Sequence, residues 1–324
     1  MTTRRSLLMA AALVASSYFG AAHADNYPSK PVRWVVAYAA GGGSDALARA
    51  VGVQLSTQLG QPVLIDNKPG GATVIGAENV AKSPGDGYTV FTADNGTLVF
   101  NTALFKKLSY DPQKDFTSIG MMARFPLLLA VNPNAGYADV KALIAAAKAN
   151  PGKLSFATPG VGSPHHLAME MLKARNNVDL VHVAYRGAAP AIQDVVGGQL
   201  PLMVVDSAAG MQMMKAGKLK PLATFSKSRL ASMPDVPTLM ELGYTDTEAV
   251  AWQGLVVPSS TPKEIVAKLS TELQKAIQSE AVRSQFATMG IEATPSDAAT
   301  MQKHWAQEGQ FWPRLIKERG ISLD

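Results

Sequence analysis

Residues 32–46 read VRWVVAYAAGGGSDA, an apolar run followed by three glycines, a serine and an aspartate. The apolar residues of 32–38 predict a buried strand. Beyond the glycines, an apolar residue recurs every four positions and builds one face of a helix, at Leu47, Val51, Leu55 and Leu59. The glycines therefore occupy the turn between a strand and the helix that follows it.

The same order of strand, polar turn and helix recurs along the chain. In the first part, the strand at 63–65 leads into a turn at 67–71, and the strand at 88–93 ends at 94–96. From residue 127 onward, predicted strands end at 158–164, 186–187 and 206–207. This alternation predicts an α/β fold with a mostly parallel sheet flanked by helices, and 324 residues are enough for two domains.

Glycine turns at strand ends are suited to binding anions. At the carboxyl end of a parallel strand, successive backbone N–H groups turn toward the crevice, and the helix behind them adds roughly half a positive charge. Glycine has no Cβ to block a close approach and tolerates positive φ. Because open sheets bind ligands at this edge, several such turns predict one shared anion site.

The first residues have the pattern of an export signal. MTTRRSLLMAAALVASSYFGAAHAD contains two arginines, then an apolar stretch at 7–19, then Ala22-His23-Ala24, the small-x-small pattern that signal peptidase cleaves. We expect a signal peptide over 1–24, cleaved after Ala24, and a periplasmic mature protein. A membrane anchor is the alternative, but a spanning helix needs about 20 apolar residues. The two arginines leave both the general and the twin-arginine export routes open.

Composition excludes several classes of protein. The chain has no cysteine, which excludes disulfides and thiolate metal sites. The formal net charge of +5 falls to about +3 once Arg4 and Arg5 are removed, which is too weak for a nucleic-acid-binding protein. The sequence lacks G-x-S-x-G and H-E-x-x-H motifs, so we expect no catalytic residues, no metal and no cofactor.

A dinucleotide-binding enzyme is the main rival interpretation. Residues 41–46, GGGSDA, satisfy the pattern G-x-G-x-x-A, and Asp66 ends the next strand, where an acid that binds ribose belongs. Export to a compartment with little free NAD argues against this interpretation. So does Asp45, which would lie close to the pyrophosphate.

Nine blocks of sequence, in order, carry a resemblance to a known family. They are YPSKPVRWVV, the GGGSD turn with LAR after it, DNKPGGATVIGAENVAKSPGDGYT, LFKKLSYDPQKDFTSIG, PGKLSFATPGVGSPHHLAMEML, VHVAYRGAAPAIQDVVGGQLPLM, AGKLKPLA, MPDVPTLMELGY and WQGLVVPSSTP. In these blocks the chain resembles the substrate-binding proteins of tripartite tricarboxylate transporters, the Bug family. The match runs over nearly the whole mature chain.

The resemblance implies a two-domain periplasmic binding protein, type II-like, that closes as a clamshell over a small carboxylate. It implies a discontinuous first domain, 25–125 plus 251–324, and a second domain, 126–250. The ligand would be held largely by glycine turns and ordered waters. Carried over by position, the implied ligand-binding residues are Gly42, Gly43, Ser44, Asp45, Gly70, Gly71, Ala72, Thr73, Asn95, Thr158, Gly162, Ser163, His166, Tyr185, Arg186, Gly187 and Asp206.

Three departures from the family pattern bear on the ligand. Tyr38 stands in a turn that in the family often has a proline and an aromatic residue, so its hydroxyl is expected in the cleft. Arg186 replaces the usual lysine and can grip a carboxylate bidentately. The third departure is His165, which precedes the usual histidine at a position that often carries a small polar residue. Together, Arg186 and His165 suggest a second anionic group on the ligand, which favours a dicarboxylate, aromatic dicarboxylates included. A surface salt bridge is the alternative for Arg186.

Two further residues keep alternatives open. Asp206 either accepts a hydrogen bond from an amine, hydroxyl or water, which admits an amino-acid ligand, or caps the next helix. His166 serves either helix packing or the ligand, and we treat His182 as a core residue. The expected partners are membrane permease subunits of a tripartite tricarboxylate transporter, and we expect a monomer. A receptor that signals to a membrane sensor without transport would use the same site.

Overall fold

The computed structural model describes residues 27–324. The predicted signal peptide, residues 1–24, lies outside the described residues. Among the helices of the described part, none is long and apolar enough to cross a membrane.

Strands and helices alternate through most of the chain. The strands are β1 (Val32–Val36), β2 (Val63–Asn67), β3 (Thr89–Asp94), β4 (Phe116–Val131), β5 (Ser155–Thr158), β6 (Val181–Ala184), β7 (Leu202–Asp206), β8 (Lys220–Thr224), β9 (Val250–Pro258) and β10 (Glu292–Ala293). The helices are α1 (Gly43–Leu59), α2 (Val74–Ala81), α3 (Asn101–Leu104), α4 (Pro112–Asp115), α5 (Val140–Ala149), α6 (Pro164–Asn176), α7 (Ala188–Val196), α8 (Ser207–Lys215), α9 (Lys263–Gln278), α10 (Glu280–Thr288) and α11 (Ala298–Glu318).

The strands form one curled sheet in the order β2-β1-β3-β9-β4-β7-β5-β6, with β8 and β10 beside β4. We call β1, β2 and β3 with their helices the first lobe, and β5, β6 and β7 with theirs the second lobe. Within each lobe these strands are parallel, as predicted, because a helix connects each to the next. The central strands β4 and β9 run antiparallel to their neighbours, so the complete sheet is mixed.

The strand β4 is shared by both lobes. Its first part pairs with β9 up to the register Pro126–Val250, and its last part pairs with β7 from Leu127–Asp206. The register between β4 and β9 shifts twice, at Ser118/Gly120 and at Met121/Ala123. These shifts bend β4 within the part that pairs with β9, before the strand passes into the second lobe.

Apolar side chains cover both faces of the sheet. Along β1, Trp34 and Val36 belong to one buried cluster and Val35 to another, because alternate residues of a strand point to opposite faces. The cluster that contains Val35 continues into the second lobe through residues such as Phe156 and Leu167. The lobes therefore share part of their core, and the parallel strands of each present their carboxyl ends toward the boundary between them.

Candidate functional site

The glycine turn between β1 and α1 offers its backbone to a ligand. Gly41 has a left-handed φ of 85°, and α1 begins at Gly43. The N-cap residue Gly42 supplies no side-chain hydrogen bond to the helix. A helix of 17 residues without such a cap leaves its first N–H groups and the positive end of its dipole available. This turn is therefore able to bind a carboxylate without a basic side chain.

Asp45 supports this turn from within. It is 3% exposed, and its Oδ2 accepts hydrogen bonds from the Gly41 N–H and from Arg49 Nε, both at 2.9 Å. Its Oδ1 accepts from Asn67 Nδ2 at 3.1 Å. Burial alone would raise the pKa of Asp45, but the hydrogen bonds from Arg49, Gly41 and Asn67 outweigh it and lower the pKa. Since both carboxylate oxygens are used inside the turn, Asp45 shapes the turn rather than facing an anion.

The second turn has four consecutive residues with positive φ. The values are 122° at Gly70, 56° at Gly71, 50° at Ala72 and 77° at Thr73. Such a turn directs successive N–H groups into one concavity, and those of Gly71 and Ala72 find no backbone acceptor within residues 27–324. The two non-glycine residues cost about 1–3 kcal/mol each. Asn101 holds them in place, since its Nδ2 donates to the Ala72 carbonyl at 2.8 Å and to Thr73 Oγ1 at 3.3 Å.

Tyr38 and Asp94 form a pair between the ends of β1 and β3. The Tyr38 hydroxyl donates to Asp94 Oδ2, and burial, with the charge of Asp94, raises the pKa of Tyr38 well above its ordinary value. Asp94 Oδ1 accepts from both the N–H and the hydroxyl of Thr97 at 2.7 Å. The Thr97 hydroxyl lies 2.7 Å from Thr73 Oγ1. The pair thus connects the first turn to the second. The Tyr38 hydroxyl, which was expected in the cleft, is hydrogen-bonded to Asp94, a residue that the sequence did not single out.

The turn before α6 is held by the side chains that were expected to bind ligand. Ser163 is the N-cap: its Oγ accepts from the His166 N–H at 3.2 Å and donates to the Gly160 carbonyl at 2.7 Å. Thr158 Oγ1 lies 2.6 Å from His182 Nε2 and 3.1 Å from the Gly160 carbonyl. Both hydroxyl groups therefore fix the shape of the turn.

His166 also serves the turn. Its Nδ1 accepts a hydrogen bond from the Gly162 N–H at 3.1 Å, and its ring stacks on His182 with centroids 3.8 Å apart. Burial lowers the pKa of His166 to about 3 and that of His182 to about 4. Both rings are neutral at pH 7, so His166 acts as an acceptor for the backbone rather than as a cation for the ligand. His182 is half-buried and contributes to the stack.

The turn after β6 combines a free arginine with an uncapped helix. Arg186 is exposed, and within residues 27–324 it forms no salt bridge. Its neighbour Tyr185 donates to Asp194 Oδ2 at 2.5 Å, and burial, with Asp194, raises the pKa of Tyr185 to about 12. Gly187, with φ of 113°, is the N-cap of α7 and supplies no side-chain hydrogen bond. Its N–H donates to the Pro159 carbonyl at 2.9 Å, which packs this turn against the one before α6.

His165 and Asp206 pair with each other. His165 Nε2 lies 3.1 Å from Asp206 Oδ2, and Asp206 Oδ1 accepts from the Ala209 N–H at 2.9 Å as the N-cap of α8. Burial would raise the pKa of Asp206, but the hydrogen bond from His165 contributes to lowering it. The structure thus shows the helix cap that was one of the two interpretations of Asp206. Because His165 already faces a carboxylate, it is poorly placed to bind a second anion from a ligand.

Residues from the two lobes touch at these turns. A Cβ added to Gly43 would lie 3.2 Å from the Phe125 ring and 3.9 Å from Cβ of Ala208 in the second lobe. A Cβ added to Gly162 would lie 2.5 Å from Leu104 Cδ1 in the first lobe. One glycine turn in each lobe therefore lies against a side chain of the other lobe at the boundary. Leu104 and Phe125 were not expected from sequence, because each reaches the boundary only through the fold.

Two buried amides lie beside the same region. Asn95 is fully buried; its Nδ2 donates to the Val250 carbonyl at 2.9 Å, and its Oδ1 has no partner within residues 27–324. Gln253 on β9 donates to Ser44 Oγ. The family resemblance implied Asn95, whereas the sequence contained no signal for Gln253, whose partner is distant in the chain.

Asp66, the acid of the rival dinucleotide interpretation, is already paired. Its Oδ2 lies 3.2 Å from Arg33 Nη1 and 3.5 Å from Lys68 Nζ. A ribose-binding acid must accept hydrogen bonds from the ligand instead. The arrangement at β2 therefore gives no support to a dinucleotide site.

Comparisons with known proteins identify the family of this chain. A model of the tripartite tricarboxylate transporter family receptor matches residues 47–321. Protein BugT of Bordetella pertussis is 34% identical over 303 residues, covering 93% of this chain and 92% of its own.

Three solved structures are similar over at least nine-tenths of the chain. R. palustris Rpa4515, with adipate, has a TM-score of 0.85 and 32% identity, and the match covers 91% of this chain and 99% of that one. The periplasmic binding protein BugD has a TM-score of 0.82 and 32% identity, with 91% and 99% covered. MatC of Rhodopseudomonas palustris, with bound malate, has a TM-score of 0.81 and 29% identity, with 90% and 100% covered.

These matches cover both lobes, and the family model begins at residue 47, directly after the first glycine turn. They show a two-domain fold of the periplasmic binding protein type. The chain belongs to the tripartite tricarboxylate transporter receptor family, the Bug family of solute-binding proteins.

Proposed function

We propose that this protein is a periplasmic receptor that captures a dicarboxylate between its two lobes, without catalysis. The observation that carries the proposal is the distribution of uncapped helices: α1 and α2 in the first lobe and α7 in the second have no side-chain cap. By contrast, α6 and α8 are capped by Ser163 and Asp206. Uncapped N-termini in both lobes supply donors for two separate carboxylates.

Arg186 is the residue we assign to the second carboxylate. It follows β6, next to the uncapped α7, and its side chain is exposed and free of salt bridges within the described part of the chain. A guanidinium in this position can bind one carboxylate through two parallel hydrogen bonds. The related proteins solved with adipate and with malate both hold dicarboxylates, which supports this ligand class.

The change of partner along β4 supports a division of the chain into two domains. We propose domains of 25–125 plus 251–324 and of 126–250, because β4 changes partner from β9 to β7 between Pro126 and Leu127. Closure would bring the first turns (Tyr38, Gly42, Gly43, Ser44, Gly70, Gly71, Ala72, Thr73, Asn95) against the second (Thr158, Gly162, Ser163, His166, Tyr185, Arg186, Gly187). The ligand stabilises the closed form by bridging them.

Titration calorimetry with matched acids tests the ligand class. We expect adipate, malate or a dicarboxylate of similar length to bind, and we expect monocarboxylates of the same chain length to bind more weakly. Arg186→Ala should weaken dicarboxylate binding about tenfold to a hundredfold, since a charged hydrogen bond contributes about 1.5–3 kcal/mol. Arg283→Ala is the control, an exposed arginine on α10. Equal affinity of Arg186→Ala and wild type would remove Arg186 from the site.

We further propose that export follows the signal peptide at 1–24 and that the loaded protein delivers its ligand to the membrane subunits of a tripartite tricarboxylate transporter. The support is membership of the receptor family. Deletion of those membrane subunits should abolish uptake of the ligand. Uptake that persists in the deletion strain would show that the receptor serves another system.

A further inference from the structure

A buried carboxylate on α6 binds two cations. Glu170 is 5% exposed, and its Oε1 accepts a hydrogen bond from Lys173 Nζ, one helical turn later, at 2.6 Å. Lys173 also donates to the Leu180 carbonyl at 2.8 Å, within the second lobe. The other oxygen of Glu170, Oε2, accepts from Arg319 Nε at 2.9 Å. Because Lys173 alone balances the charge of Glu170, Arg319 is a second cation.

Arg319 reaches this carboxylate from the side of the first lobe. It directly follows α11, and two tryptophans fasten that helix to the residues after β3. Trp305 Nε1 donates to the Leu98 carbonyl at 2.9 Å. The ring of Trp312 packs edge-on against that of Phe100, with centroids 5.3 Å apart. The ion pair of Arg319 therefore joins the two lobes.

The helix α6 also carries a turn that we assign to the ligand. His166, one helical turn before Glu170, accepts a hydrogen bond from the Gly162 N–H at 3.1 Å. Across the boundary, Gly162 lies against Leu104 of the first lobe. The Leu104 carbonyl accepts from the Leu323 N–H at 2.9 Å. The residues that follow α11 thus contact both elements that meet at this turn.

The ion pair can break without leaving a buried charge alone. If the lobes separated, Glu170 would lose Arg319 but keep Lys173, since both lie on α6. The Arg319 side chain is 33% exposed, so water can solvate it. Loss of one partner from a buried pair usually costs far more, because the other charge is left uncompensated. The arrangement therefore suits a contact that forms as the lobes close and breaks as they open.

We infer that Arg319 is a positioning residue for ligand binding, whose ion pair with Glu170 holds α6 and its turn against the first lobe in the closed form. This inference rests on the proposed function and adds to it a contact outside the ligand site. Because Arg319 acts through Glu170, it affects how firmly the lobes stay closed rather than which acid is bound. Its removal should therefore accelerate dissociation and leave association nearly unchanged.

Binding kinetics of matched variants test the inference, with adipate and malate as the probes. Arg319→Met removes the charge and keeps an unbranched side chain, and Glu170 stays paired with Lys173, so we expect the variant to fold. It should bind about fivefold to tenfold more weakly, through faster dissociation. Arg319→Lys keeps the charge and should recover part of that loss. The control Arg314→Met should bind as the wild type does, since Arg314 pairs within α11, with Glu318 at 3.6 Å.

Three results would overturn the inference. They are an unchanged dissociation rate in Arg319→Met, an equal acceleration in Arg314→Met, and no recovery in Arg319→Lys. A merely structural Arg319 would lower the unfolding temperature of Arg319→Met without changing the dissociation rate. If neither probe binds the wild type, the proposed dicarboxylate function fails and this inference fails with it. Binding with equal rates in Arg319→Met and the wild type refutes only this inference.

Discussion

Replacing Gly162 by alanine should weaken ligand binding, because Gly162 is a point of contact between the lobes. Its φ is 70°, and an added Cβ would lie 2.5 Å from Leu104 Cδ1, 3.3 Å from Cδ2 and 3.5 Å from Cγ. Leu104 is 1% exposed, so its side chain has little room to move. Its carbonyl accepts from the Leu323 N–H at 2.9 Å, which holds its backbone as well.

Two costs of different kind arise from this substitution. The left-handed backbone costs alanine about 1–2 kcal/mol, whether the lobes are open or closed. The overlap with Leu104 costs about 1–3 kcal/mol and arises only while the lobes are in contact. The first cost lowers the unfolding temperature by a few degrees. The second lowers the affinity for a ligand that requires closure, by about fivefold to a hundredfold.

Calorimetry and thermal unfolding, applied to one matched variant, separate the two costs. Gly136 has a φ of 81° and nothing within 4 Å of an added Cβ, so Gly136→Ala carries the backbone cost alone. Both variants should lose similar thermal stability, and only Gly162→Ala should lose affinity. Adding Leu104→Ala should restore part of that affinity. If Gly162→Ala binds as tightly as Gly136→Ala, the contact with Leu104 is not specific to the closed form.

Three further predictions concern the support of the turns and a buried carboxyl group, Glu308 of α11, which is hydrogen-bonded to Trp252 of β9. Asp45→Ala removes the acceptor of three partly buried hydrogen bonds and should lower the free energy of unfolding by about 2 kcal/mol in urea titrations; an unchanged midpoint would show that the turn keeps its shape without Asp45. His166→Phe keeps the stacked ring but leaves the Gly162 N–H unpaired, and should cost about 1–3 kcal/mol and weaken binding; His166→Asn, which can still accept, should recover part of both. Burial raises the pKa of Glu308 to about 7, although Trp252 Nε1 donates to it at 2.7 Å. Because this pKa is raised in the folded state, its stabilising effect is present below about pH 4.5 and is lost as the pH rises through 7. The free energy of unfolding of Glu308→Gln, relative to that of the wild type, should therefore rise by up to about 3 kcal/mol between pH 5 and 8. Parallel pH profiles of the two proteins would contradict the raised pKa of Glu308.

The parallel strands and their helices were predictable because each is local. Apolar runs and four-residue spacing identify β1 and α1, and the turn residues lie where the pattern changes. The strand β4 was predicted only over 127–131, whereas it begins at Phe116. Gly120 and Pro126 interrupt the pattern, and the structure absorbs the glycine at a register shift. Such a shift depends on the partner strand, which sequence alone does not reveal.

In the candidate site, too, the local features were predictable from the sequence and the features that depend on distant partners were not. Backbone turns were visible in sequence, because glycine and the strand before it are neighbours in the chain. The roles of the side chains were not visible, because they depend on distant partners. Asp45 needs Asn67, Tyr38 needs Asp94, and Gln253 finds Ser44 209 residues away. Several side chains expected to contact the ligand thus use their hydrogen bonds to hold the turns.

The position of β9 in the sheet has a consequence for how the chain folds. It lies between β3 and β4, and Val250 at its start bonds to Asn95, 155 residues earlier. When the chain emerges with its N-terminus first, β3 and β4 therefore stay separate until β9 is available. Each of them has one unpaired edge during that interval. The second lobe, whose strands are close in sequence, can assemble first. Unpaired edges invite aggregation, so the interval before β9 is when the chain most needs a chaperone.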